Sequence, residues 1–133
     1  MQDSQRLKKL YPGRILTARY EDLAQKPLDF AARLLDFAGL DMYPSLRQYV
    51  WNITSSHDKV KEGMWKTKRS NSSLTAGQWR QDSDFPFVAE VDRKCAQLYR
   101  HMGYLPFANE KALRNTRLPY FRDVKHMPGL WTV

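Results

Sequence analysis

The chain has 133 residues, with 22 Lys and Arg against 14 Asp and Glu, a formal net charge of +8, and 42% hydrophobic and 13% aromatic residues. That apolar content is too high for a disordered chain, a single cysteine cannot build an internal disulfide framework, and no apolar run approaches the length that crosses a bilayer. The length allows one core and one site rather than a two-domain enzyme.

Met1 to Lys9 is polar and mixed in charge, without the apolar stretch of a signal peptide. Leu7 and Leu10 close a short basic segment that Tyr11-Pro12-Gly13 turns. The β-compatible run Arg14 to Tyr20 predicts a strand entering a buried sheet. Glu21 and Asp22 follow where a helical turn exposes free N–H groups; an acid/base pair is the alternative use of two such carboxylates. Pro27 opens a helix with Phe30, Ala31, Leu34, Leu35 and Ala38 at helical spacing, and Gly39 stands at its left-handed end. A second helix is expected after Pro44, with Leu46, Tyr49 and Val50 on one face.

Between Asn52 and Arg80 periodicity fails, and Lys59, Lys61, Lys66, Lys68 and Arg69 predict a long basic loop. From Pro86 an apolar stripe of Val88, Val91, Cys95, Leu98 and Met102 predicts one helix ended by Gly103. The stretch from Leu105 to Val133 carries scattered Pro, aromatics and cations without a period.

Catalytic and metal frames are poorly supported. His57, His101 and His126 are far apart and read as surface histidines, so no metal is expected, and neither common glycine-rich phosphate motif occurs. Lys68, Arg69, Ser70, Asn71, Ser72 and Ser73 set cations beside hydroxyls and backbone amides, a mixture suited to a phosphate but equally found in solvated charge runs. Trp79-Arg80 either anchors that segment to the body or stacks on a base. Asn52 and Asn71 head N-x-[ST] sequons, which accept glycans if the chain is lumenal.

The run from Tyr11 to Ala24, then Pro27 and Phe37-Ala38-Gly39-Leu40, resembles the YPGR…RYEDLA…P…F.GL stretch of carbohydrate sulfotransferases. Thr67 to Arg80, closed by Gln78-Trp79-Arg80, is similar to that family's Arg/Ser loop, and the Cys95 helix ending in Met102-Gly103-Tyr104 resembles its late helix closed by LGY. The resemblance covers roughly residues 8–104 and leaves 105–133 as an unassigned basic tail. It implies an α/β, P-loop nucleotide-kinase-like sulfotransferase fold, of which this chain is the mostly helical C-terminal part. The implied activity is transfer of a sulfuryl group from 3′-phosphoadenosine 5′-phosphosulfate to a sugar hydroxyl.

By the same resemblance Tyr20 lies against adenine, Thr54 and Ser55 stand near the base, and Lys68, Arg69, Ser70 and Asn71 hold the 3′-phosphate. The family's 5′-phosphosulfate loop, of the type P-[KR]-[ST]-G-[ST], has no counterpart before Tyr11. No residue of this chain is therefore expected to be catalytic, and the chain alone is expected to be inactive. The implied partners are a glycan acceptor and the nucleotide donor, not nucleic acid. The implied setting is the Golgi lumen or membrane, held by an anchor outside this chain. Cys95 in a lumenal parent would pair with an upstream cysteine or remain a buried thiol. A different reading is a basic module that holds sulfated glycan or nucleic acid without chemistry, helped by Tyr120-Phe121-Arg122.

Overall fold

The structure is a computed structural model and describes residues 2–55 and 69–123. Among the described residues the regular structure is helical, with no strand and one isolated antiparallel bridge, Tyr104 to Phe121. The mostly helical character agrees with expectation; the strand over Ile15 to Tyr20 does not. Residues 15–19 carry no regular structure and Tyr20 already begins a helix. β-branched composition suits a pleated surface but does not create one: a strand exists only by pairing with a neighbour. What fixes this segment is instead the side chain at its end, Arg19, described below.

The chain divides into two compact units where its length predicts a single core, one of Tyr20–Gly77 and one of Met1–Arg19 with Gln78–Val133. The contiguous unit holds α2 (Tyr20–Gln25), α3 (Pro27–Phe37), α4 (Pro44–Thr54) and α5 (Ser72–Gly77). Pro27 and Pro44 occupy first-turn positions, where a missing N–H costs no hydrogen bond. Gly39, at φ +70°, ends α3 as read. Its N–H donates to Asp36 O (3.0 Å) and the Leu40 N–H to Leu35 O (2.9 Å), the paired bonds of a left-handed helix end. α2 packs on α3 and α5, and α3 on α4. The buried residues here are Glu21, Ala24 and Ala76.

The second unit contains α1 (Gln2–Leu10), α6 (Trp79–Asp82), α7 (Phe85–Lys94), α8 (Ala96–Met102) and α9 (Glu110–Arg114). The stripe from Val88 to Met102 is two helices rather than one, because Cys95 leaves helical geometry at φ −96°, ψ 10°. The bonds from Cys95 N–H to Val91 O (2.8 Å) and from Tyr99 N–H to Cys95 O (2.9 Å) keep the apolar stripe in step across the break. Gly103, at φ +73°, ends α8 as its position predicts.

The stretch after Leu105, expected to be without period, contains α9, whose Asn109 Oδ1 accepts the Ala112 N–H at 2.9 Å. Leu113 of that helix is fully buried. Two arginines are buried with it. Arg19, 1% exposed, donates to Met102 O and Arg122 O, each at 2.8 Å, and its guanidinium lies 4.4 Å from the Phe121 ring centroid. Arg80, 2% exposed, donates to the carbonyls of Ala112, Leu113, Asn115 and Leu118. It lies between the rings of Phe107 (4.8 Å) and Tyr120 (5.4 Å). Among the described residues no helix is long and apolar enough to cross a membrane.

Candidate functional site

The described residues read from the sequence as a nucleotide site all fall in the Tyr20–Gly77 unit. α4 delivers Thr54 at its last turn and Ser55 just beyond. The Thr54 hydroxyl donates to Val50 O at 2.7 Å, so its proton is committed and its lone pairs remain to accept. Such an acceptor suits the exocyclic amino group of a purine. The Ser55 N–H donates to Trp51 O at 2.9 Å, closing the helix.

The Arg69 N–H donates to Ile53 O at 2.7 Å. That bond seats the start of the basic segment against the end of α4, bringing the Arg69 backbone beside Thr54 and Ser55 although 15 and 14 positions separate them in sequence. Ser70 and Asn71 follow at the surface. The expected loop does not run on: Asn71 Oδ1 accepts the Leu74 N–H at 3.1 Å and opens α5. Asn71 thus acts as a helix cap, its carbonyl oxygen committed, and only its amide N–H groups are of the kind that could meet an anion.

Ser72, read as one hydroxyl of a phosphate-binding mixture, has another use. Its hydroxyl donates to Ala24 O at 2.7 Å and ties the head of α5 to α2. Tyr20 begins that same α2, four residues before Ala24 and so about 6 Å along the axis. Its side chain is 54% exposed, which leaves ring surface for a flat partner. The α2–α5 tie and the α4–Arg69 bond both lie within the unit that contains Tyr20, Thr54, Ser55, Arg69, Ser70 and Asn71. Lys68 lies outside the described residues, as do His57, His126 and the rest of residues 56–68 of the expected basic loop.

Glu21 and Asp22 stand in the first turn of α2, the capping position read for them. Asn52 is exposed on α4, where its Oδ1 accepts from Gln48 Nε2 at 2.9 Å. Cys95 is a free cysteine of intermediate burial. His101 Nδ1 is 2.8 Å from Gln97 O, an ordinary contact within α8. No group of His, Cys, Asp and Glu among the described residues could hold a metal ion.

Of the two uses open to Trp79-Arg80, the structure shows anchoring. Trp79 meets Phe107 (6.2 Å) and Tyr120 (5.8 Å) edge to face, and Arg80 spends its guanidinium on backbone carbonyls. The indole beside a guanidinium was the available signal; the carbonyls it serves lie more than 30 positions later.

The tyrosine-headed helix and the basic turn accompany a measurable kinship: the chain is a relative of the carbohydrate sulfotransferases. Carbohydrate sulfotransferase 6 of Homo sapiens is 33% identical over 107 residues, covering 80% of this chain and 27% of that protein. Carbohydrate sulfotransferase 1 of Mus musculus is 26% identical over 118 residues, 89% of this chain and 28% of that protein. Carbohydrate sulfotransferase 4 of Mus musculus is 30% identical over 105 residues, 79% of this chain and 27% of that protein. The chain thus spans about a quarter of the length of the curated relatives it matches. No family model matches it, and no solved structure matches it.

Proposed function

We propose that this chain is the C-terminal part of a carbohydrate sulfotransferase and supplies the adenine and 3′-phosphate half of the site for 3′-phosphoadenosine 5′-phosphosulfate. The observation that supports the reading is the bond from Arg69 N–H to Ile53 O, which seats the backbone at the start of the Arg69-Ser70-Asn71 segment against the end of α4. In the transfer, a sugar hydroxyl oxygen forms a bond to sulfur while the bond from sulfur to the bridging phosphate oxygen breaks. The electron pair leaves on adenosine 3′,5′-bisphosphate, and the hydroxyl proton passes to a base.

What this chain's residues do is bind and orient. Tyr20 offers a ring to the base, Thr54 an acceptor to its amino group, and Lys68, Arg69, Ser70 and Asn71 charge and donors to the 3′-phosphate. The parent works in the Golgi lumen or at its membrane on a glycan acceptor. Cys95 either pairs with an upstream cysteine there or stays a thiol.

Titration calorimetry on the full-length protein tests the phosphate assignment. A charge-assisted contact contributes roughly 1.5–3 kcal/mol, so Arg69→Ala weakens adenosine 3′,5′-bisphosphate by about one to two orders of magnitude and barely affects adenosine 5′-phosphate. An equal loss for both nucleotides removes the assignment. The chain alone is expected to transfer no labelled sulfate to a desulfated glycan, since its sequence contains no P-[KR]-[ST]-G-[ST] loop to aim donors at the charge that develops on the bridging oxygen. Transfer by the purified chain would place the other half of the site within it.

A further inference from the structure

α4 carries a tryptophan on the side its packing does not use. Leu46, Val50 and Ile53 form the half-buried side of the helix, which packs on α3. Trp51 points elsewhere and is 44% exposed. Residues three and four apart on a helix are surface neighbours, so Trp51 shares its face with Arg47 and Gln48, both exposed. Gln48 Nε2 donates to Asn52 Oδ1 at 2.9 Å, fixing the two amides as a pair beside the indole. That bond uses one donor of Gln48 and one acceptor lone pair of Asn52, leaving the Gln48 carbonyl and the Asn52 amide N–H groups for another partner.

The combination has a defined chemistry. An indole face takes the C–H face of a pyranose, a carbonyl and an amide side by side satisfy the donor and acceptor of a sugar hydroxyl, and a guanidinium binds a sulfate or carboxylate. The net charge of +8 favours a polyanion. We infer that, where the Asn52 sequon carries no glycan of its own, the Arg47–Gln48–Trp51–Asn52 face of α4 is a subsite for one sugar unit of an acidic glycan. The inference draws on the proposed function only for the choice of a glycan as ligand. The subsite lies one helical turn before Ser55, at the same end of α4 as the proposed nucleotide half-site.

The test uses the whole chain expressed without glycosylation, so that Asn52 keeps its free amide, and a heparin-derived tetrasaccharide as probe. Trp51→Ala leaves the charge unchanged, yet weakens the tetrasaccharide by about tenfold at fixed salt through lost stacking; Trp51→Phe keeps most of the affinity. Arg47→Ala weakens it and flattens its salt dependence. Hexametaphosphate, a polyanion without a sugar ring, binds Trp51→Ala and wild type alike.

A tetrasaccharide affinity untouched by Trp51→Ala overturns the subsite and leaves charge adsorption. An equal loss for hexametaphosphate overturns it too. If Trp51→Ala fails to fold by circular dichroism, the paired change Gln48→Ala and Asn52→Ala takes its place with the same expected loss and the same overturning result. Binding of adenosine 3′,5′-bisphosphate is read in parallel. Its retention alongside an unaltered tetrasaccharide affinity sinks the subsite alone, and its absence alongside a Trp51-dependent tetrasaccharide sinks the nucleotide half-site alone.

Discussion

Arg80 and Arg114 serve each other's helices. Arg80 donates to the carbonyls of Ala112, Leu113 and Asn115 at the end of α9, while Arg114 on α9 donates back to the carbonyls of Arg80 and Gln81 in α6. Each guanidinium supplies the donors that the last carbonyls of a short helix lack. Two helices of four and five residues, too short to persist by themselves, thereby hold one another.

Replacement of Arg80 by Lys keeps the charge and removes the fork, leaving carbonyls in a nearly closed site without donors. It is expected to cost about 2–4 kcal/mol. Arg114, whose side chain is 32% exposed, can hand its carbonyls to water, and Arg114→Lys is expected to cost about 1 kcal/mol. Urea denaturation of both variants checks the order; equal losses would mean that burial does not decide the difference.

Gly39→Ala meets no steric obstacle, since nothing lies within 4 Å of the added methyl, but φ +70° is a conformation that L side chains rarely adopt. The expected cost is about 1 kcal/mol from backbone strain alone. A midpoint unchanged in denaturant would show that the α3 end is not held in this geometry.

Ser72→Ala removes the hydroxyl that ties α5 to α2 and is expected to cost about 1 kcal/mol. Ser73, exposed on the same short helix, is the control, with an expected change of only a few tenths of a kcal/mol. The same pair checked for nucleotide affinity separates an anchor from a ligand: a loss in Ser72→Ala beyond that in stability would return its hydroxyl to the phosphate site.

Burial, and then the hydrogen bond to Asp92, push the Tyr99 hydroxyl well above the usual tyrosine range. That hydroxyl donates to Asp92 Oδ1 at 2.7 Å, while Asp92 Oδ2 accepts the Phe107 N–H at 2.9 Å. Because the folded value is raised, the contribution is complete below about pH 10, where an unfolded tyrosine keeps its proton. It falls as pH rises beyond that value, when the unfolded chain releases a proton that the native state retains. Denaturation from pH 8 to 11.5 is expected to show a decline in wild type that is shallower in Tyr99→Phe. Identical slopes would mean that Tyr99 ionises in the folded state as it does in the unfolded one.

The features legible in the sequence were those a short window decides. Pro27 and Gly39 bracket α3 because proline suits a first turn and glycine a left-handed end, and neither depends on distant partners. Glu21 and Asp22 marked the start of α2 for a similar reason. The strand over Ile15 to Tyr20 was misread because β composition is local whereas pairing is not. α9 was illegible because its five residues owe their stability to Arg80, far upstream. In the site, residue types pointed to Tyr20, Thr54, Ser55 and Arg69 through a resemblance. What sequence could not separate was Asn71 and Ser72 as ligands from the same residues as a cap and a tie, since both uses require the same polar atoms.

Arg19 reaches carbonyls 83 and 103 positions later in the chain, at Met102 and Arg122. On a ribosome, where the polypeptide emerges from its N-terminus, those acceptors appear long after Arg19 itself. The Tyr20–Gly77 unit is contiguous and its partners are all synthesised before Met102 exists, so it can assemble first. The guanidinium of Arg19 must therefore wait in water until the last helices arrive, and closing that long loop is an entropic step the inner unit never faces. Pulse-labelled hydrogen exchange during refolding would accordingly protect the amides of α3 before those of Tyr104 and Arg122.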